Sequence, residues 1–137
     1  MLFRSPYDVL LQHTSGDVAF ELDLYWVNKA GVDPVLYLQQ WPGRFPLVHV
    51  KDSAGPPGHE MTDVGSGTLD WRRIFELHRT AGIRHYFVEH DSPADPFASI
   101  EASYRYLRRL RFTSQQSGTP AASRRPADRA GGSKSSA

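Results

Sequence analysis

The sequence predicts an α/β fold, a piece of a (β/α) barrel, and three observations carry that expectation. Three short apolar segments are each followed by a loop and then a helical pattern, the alternation that builds a parallel sheet. Each segment ends in residues that can bind a divalent metal: Phe20-Glu21-Leu22-Asp23, Leu47-Val48-His49-Val50-Lys51-Asp52 and Tyr86-Phe87-Val88-Glu89. Barrels of this kind keep their chemistry at the C-terminal ends of the strands. A full barrel takes roughly 200 residues or more, and the chain has 137, so only part of one fits.

The elements follow in order. Tyr7 to Thr14 reads as a short helix, and Gly16-Asp17 as a turn. Val18 to Val27, rich in apolar and aromatic residues, reads as the first strand, with Asn28 to Gly31 as a loop. Asp33-Pro34 starts a helix, with Asp as N-cap and Pro at the first helical position; it carries Val35, Leu36 and Leu38 and stops at Pro42-Gly43. Phe45 to Lys51 is the second strand, and its continuous apolar character fits a buried parallel strand. Ser53 to Thr68 is a long glycine- and proline-rich loop, of the kind that is usually functional or mobile. Leu69-Asp70-Trp71 opens a helix with Ile74, Phe75, Leu77 and His78 on one face and Gly82 as its C-cap. Ile83 to Glu89 is the third strand. Asp95-Pro96 opens the last helix, with Phe97, Ile100, Tyr104, Leu107 and Leu110 as its apolar set. Residues 1–112 thus read as the folded domain. Residues 113–137, dominated by Ser, Ala, Gly, Pro and Arg, read as a disordered tail that cannot bury enough apolar surface to offset its ordering entropy.

Composition narrows the function classes. There is no cysteine, which excludes disulfides and thiolate metal sites. Net charge is +1, with 12 Lys and Arg against 14 Asp and Glu through Phe112 and 4 against 1 after it. A mildly acidic body with a mildly basic tail is no nucleic-acid signature. No apolar run approaches the roughly 18 residues of a membrane span, and the N-terminus has no apolar stretch of secretory type. The expectation is a cytoplasmic protein with neither a nucleic-acid nor a membrane partner.

An ordered set of motifs, from Phe20-Glu21-Leu22-Asp23-Leu24-Tyr25-Trp26 through Ala30-Gly31-Val32-Asp33-Pro34, Pro42-Gly43-Arg44, Val48-His49-Val50-Lys51-Asp52, Asp63-Val64-Gly65-Ser66-Gly67-Thr68-Leu69-Asp70-Trp71 and Ala81-Gly82 to Val88-Glu89, resembles the C-terminal portion of the xylose isomerase-like TIM-barrel family. That family contains sugar phosphate isomerases and epimerases. The likeness runs from about Tyr7 to Leu110 and implies the last three βα units of eight. It implies a divalent metal (Mn, Mg, Co or Zn) held by Asp23, His49 and Glu89, with a fourth ligand, a Glu on an earlier strand, lying upstream of Met1. It makes Glu89 one half of an acid/base pair for metal-assisted enolisation of a keto-sugar or hydroxy-ketone. Trp26 stands where the family commonly has a second His, and Ser66 where a Glu is frequent.

The residues also admit plainer readings. Asp23 after an apolar strand can be a helix or loop cap, and a lone His between valines is more often a hydrogen-bonded core residue. Parity sets His49 with Leu47 and Lys51, and Glu89 with His85 and Phe87, facing the presumed barrel interior. A charge at Glu89 needs a partner or a metal there. Trp26 walls a sugar pocket or simply packs. Lys51 and Asp52 contact substrate or form a surface pair. Glu21 shares the parity of Asp23 without an assigned role. Two alternatives to the isomerase remain: an inosose dehydratase-like lyase using the same enolisation, and a non-catalytic metal- or sugar-binding remnant. With one carboxylate base of two, the chain is expected to be inactive alone, and its open sheet edges predict self-association.

Overall fold

In a computed structural model, residues 5–113 can be described. The tail expected to be disordered, 113–137, lies outside the described residues apart from Thr113. Helix α1 (Pro6–His13) leads to strand β1 (Glu21–Asp23), helices α2 (Leu24–Lys29) and α3 (Pro34–Gln40), and strand β2 (Leu47–Val50). A two-stranded ribbon, β3 (Asp52–Ser53) and β4 (Met61–Thr62), comes next. Helices α4 (Trp71–Glu76) and α5 (His78–Ala81), strand β5 (His85–Val88) and helix α6 (Pro96–Arg109) complete the order.

The main sheet has the order β1-β2-β5 and is parallel throughout, as the βα alternation predicts. Its register places Asp23 beside His49 and His49 beside Phe87. Leu22, Val48 and Val50 are fully buried toward the helices, where they meet Leu24, Val35, Leu38, Phe45, Trp71 and Ile74. The alternate residues Glu21, Asp23 and His49 therefore share the opposite face. Among the described residues the sheet does not close, and β1 and β5 are its edges.

Helix starts follow the caps read from the sequence. Asp33, Asp70 and Asp95 each accept a backbone N–H of the first turn, and Pro34 and Pro96 sit where a free N–H is not needed. Gly82 closes α5 at φ 83°, a left-handed conformation that favours glycine.

Three features depart from expectation. The first strand does not run from Val18 to Val27: it ends at Asp23, and Leu24–Lys29 is helix α2. The Asp23 carboxylate accepts the Trp26 N–H at 3.0 Å, and that cap overrides the strand propensity of Tyr25, Trp26 and Val27. The helix over residues 71–81 is broken at Leu77 into α4 and α5, with Ile74, Phe75 and Leu77 still buried.

The third departure lies in α6. Phe97, Ile100 and Tyr104 do not enter the core and are 87%, 62% and 59% exposed. The inward face instead carries the buried Ser99 and Ser103, with Tyr106, Leu107 and Leu110 packed against the core. Polar contacts fix this rotation. Ser99 donates to Asp63, His90 Nδ1 lies 3.1 Å from the Ser99 hydroxyl, and Val64 N–H donates to Ser103 at 3.0 Å. These contacts satisfy the buried Val64 N–H, which would be costly to leave unpaired, and hold the two serines inward.

Candidate functional site

Strand parity gathers the polar residues of three strand ends on the sheet face away from the helices. At their centre is His49, half-buried, with both ring nitrogens engaged: Nε2 is 2.7 Å from Glu21 and Nδ1 is 2.6 Å from Glu89. Asp23 stands 3.9 Å from the same Nδ1. One turn of the strand further, the Lys51 ammonium bridges three carboxylates, at 2.8 Å from Glu89, 2.8 Å from Asp91 and 3.5 Å from Asp23. The six side chains form one network of four acids, one lysine and one histidine.

Lys51 is 5% exposed, so its charge is paired almost without water. Burial alone would push its ammonium down; the hydrogen bonds to Asp91 and Glu89 and the charge of Asp23 outweigh that and hold it above the ordinary lysine range. The bond from Lys51, then that from His49, holds the Glu89 carboxyl below its ordinary value.

The structure thus brings Asp23, His49, Lys51 and Glu89 together. It adds two acids that the sequence reading left without a role, Glu21 and Asp91. Glu21 was visible by parity with Asp23. Asp91 lies two residues beyond Glu89, and the same alternation would have found it.

Asp52 is elsewhere. It is fully buried, and its two oxygens accept the N–H groups of Ser53 (2.8 Å), Gly65 (2.8 Å), Gly67 (3.3 Å), Leu69 (3.2 Å) and the Trp71 indole (2.7 Å). In place of the substrate contact read from the sequence, it organises the loop before α4. A Cβ at Gly67 would collide with that carboxylate and with the Ser53 carbonyl, which explains the glycine there.

Tyr25 is buried, and its hydroxyl donates to the His59 carbonyl at 2.7 Å. Trp26 is half exposed, with the Lys29 ammonium 5.2 Å from its ring. Trp26 lines a cleft of about 390 Å³ with Tyr7, Val27, Val32 and Tyr37, and Glu21 and Asp23 stand at the same cleft.

Two oxygen donors and an imidazole are the donor chemistry of a divalent cation, and a positive charge already stands among the carboxylates. As the side chains lie, Lys51 supplies that charge. Among the described residues, no group of three or more His, Asp or Glu is arranged to hold a metal ion. The donor types fit a cation; the present pairing fits lysine.

No protein-family model and no curated protein matches the chain. Solved structures do. Two structures of a sugar phosphate isomerase/epimerase from Parabacteroides distasonis ATCC 8503 are similar at 33% identity and a TM-score of 0.63. The likeness covers 74% and 76% of this chain.

This chain is similar to part of a sugar phosphate isomerase/epimerase.

The xylose isomerase-like resemblance read from its motifs holds. The chain spans only 35% and 36% of the length of those isomerase/epimerase structures. Among the described residues, no helix is long and apolar enough to cross a membrane.

Proposed function

We propose that this chain carries part of a sugar isomerase/epimerase site, in which Glu89 moves a proton at the carbon next to the carbonyl of a keto-sugar or hydroxy-ketone. The observation that supports it most is the convergence of Asp23, His49 and Glu89, from three adjacent strand ends, on one face beside an open cleft. Glu89 is the carboxylate for the proton. Its side chain is 46% exposed, so substrate can reach it. Asp23, His49 and Glu89 would hold a divalent cation, which when bound acts as a Lewis acid toward neighbouring substrate oxygens. Trp26 offers an aromatic wall to the apolar face of a sugar.

Proton removal and proton return are separable in experiment. The test is NMR-detected deuterium exchange at the carbon beside the carbonyl of a ketose, with Mn²⁺ present, in the native chain and in Glu89→Gln. Exchange above the buffer rate that Glu89→Gln abolishes supports the reading. Exchange at the buffer rate, or exchange unchanged by Glu89→Gln, refutes it.

A further inference from the structure

Lys51 is the one member of the strand-end cluster that brings a permanent positive charge. It differs from a surface lysine in two ways: it is 5% exposed, and its ammonium lies within 3.5 Å of three carboxylates that come from the strand ends on either flank of β2. Two of those carboxylates, Asp23 and Glu89, are the oxygen donors assigned above. The third, Asp91, takes no part in that assignment. The ammonium therefore does for the cluster what a bound cation would do: it neutralises acids brought together at the ends of β1, β2 and β5.

We infer that Lys51 is a resident counter-cation that competes with a divalent metal for Asp23 and Glu89, and so sets how weakly this chain binds one. The inference rests on reading Asp23, His49 and Glu89 as the cation's donors. A divalent ion among them stands close to the lysine charge, and like charges at that range repel strongly where water is scarce. The bonds of Glu89 to Lys51 (2.8 Å) and to His49 (2.6 Å) both end on Oε2, so an ion that takes this oxygen displaces one of them. Asp91 is the natural resting place for a displaced ammonium, because it already holds Lys51 at 2.8 Å. A lysine that merely propped the site open would have the opposite effect: its removal would weaken metal binding.

The measurement is Mn²⁺ alone, titrated into the full chain, with free Mn²⁺ followed by electron paramagnetic resonance. The variants are Lys51→Met, Lys51→Arg and Asp23→Asn. Asparagine is chosen at 23 because its Oδ1 still caps α2, while the charge and the second oxygen, the one that faces Lys51 and His49, are lost. Lys51→Met should bind Mn²⁺ about tenfold or more tightly than the native chain. Lys51→Arg, which keeps the charge, should show no such gain. Asp23→Asn should weaken binding in both the native and the Lys51→Met backgrounds.

Equal or weaker binding by Lys51→Met, with Asp23→Asn still weakening the native chain, overturns the counter-cation role and leaves the donor assignment standing. Binding indifferent to Asp23→Asn overturns both. Lys51→Met leaves the clustered acids unbalanced, so its thermal unfolding is read with and without Mn²⁺. A melting point lowered without the ion and restored by it supports the exchange of one cation for the other. A variant that stays unfolded with saturating Mn²⁺ counts against it.

Discussion

Asp52 gives the sharpest test of how this fold is held. Five N–H groups, from Ser53, Gly65, Gly67, Leu69 and the Trp71 indole, point at its fully buried carboxylate. A hydrogen bond to a charged acceptor contributes about 1.5–3 kcal/mol, and a buried donor left unpaired costs about 1–3 kcal/mol. These values do not add within one network, and single substitutions rarely exceed about 4–5 kcal/mol. Asp52→Ala strands all five donors, so a loss of about 4–5 kcal/mol is expected, close to the whole stability of a domain at the low end of the roughly 5–15 kcal/mol range.

Asp52→Asn keeps the volume but turns one acceptor into a donor. It strands either the Gly65, Gly67 and Trp71 side or the Ser53 and Leu69 side, for about 2–3 kcal/mol. Urea unfolding followed by circular dichroism reads both. With a slope of about 1–3 kcal/mol/M, the Asp52→Ala midpoint falls by about 2 M, or the chain fails to fold. A loss within about 0.5 kcal/mol, the level of an ordinary surface change, would refute the hub role and show that water satisfies these donors as well as the carboxylate does.

Other outcomes follow from the same geometry. Glu89 has a lowered pKa in the folded chain, so its contribution to stability is present at neutral pH and is lost as pH falls below the ordinary carboxylate value of about 4.3. Melting points measured across the acid range should therefore fall less steeply for Glu89→Gln than for the native chain, and superimposable profiles would contradict the Lys51 and His49 pairing. If Glu89 is one half of an acid/base pair, as proposed, a site without the other half is slower by roughly 10²–10⁴, and ketohexose epimerisation by this chain with added Mn²⁺ should be undetectable; robust turnover abolished by Asp23→Asn would show that the site is complete in this chain. Tyr86, Ile100 and Tyr104 form an exposed apolar strip at the open β5 edge. Sedimentation should show concentration-dependent association that Ile100→Asp with Tyr104→Asp removes, and a monomeric native chain at high concentration would count against it.

Much of this was legible one residue at a time. Period two along Leu47-Val48-His49-Val50 places His49 opposite the buried valines, and the parallel register then sets Asp23 beside it. The pairs Asp33-Pro34 and Asp95-Pro96 mark helix starts because their chemistry is local. What was not legible depends on groups distant in sequence. Tyr25 and Trp26 have strand propensity, and only the Asp23 cap reveals α2. The apolar positions of α6 are ordinary, but Ser99 and Ser103 are the ones drawn inward, by Asp63, His90 and the Val64 N–H. The donors that define Asp52 arrive from residues 65–71, which no window around position 52 contains.

Lys51 and Asp52 show how one dipeptide can serve two ends. Each was open to reading as substrate contact or surface charge, and each is buried. Alternation at the end of β2 sends their side chains to opposite sides. Lys51 turns to the acids of the strand ends, and Asp52 turns under the loop that leads into α4. The peptide unit between them is held from both sides, by the Glu89 and Asp91 pairing of one and the five donors of the other. Loosening the loop at Asp52 should therefore shift Lys51 and, through it, Glu89. Loosening Lys51 should leave the loop in place, since none of the five donors to Asp52 belongs to the acid cluster. Amide hydrogen exchange resolves this asymmetry. Asp52→Asn should raise exchange at the Gly65 and Gly67 amides or at the Leu69 amide, whichever side loses its acceptor, and at Glu89, whose N–H donates to Val50 at 3.2 Å. Lys51→Met should raise it at Glu89 and spare the three loop amides. Equal effects of both variants on the loop would show that the two residues act as one unit, and that the division of labour drawn from their parity is wrong.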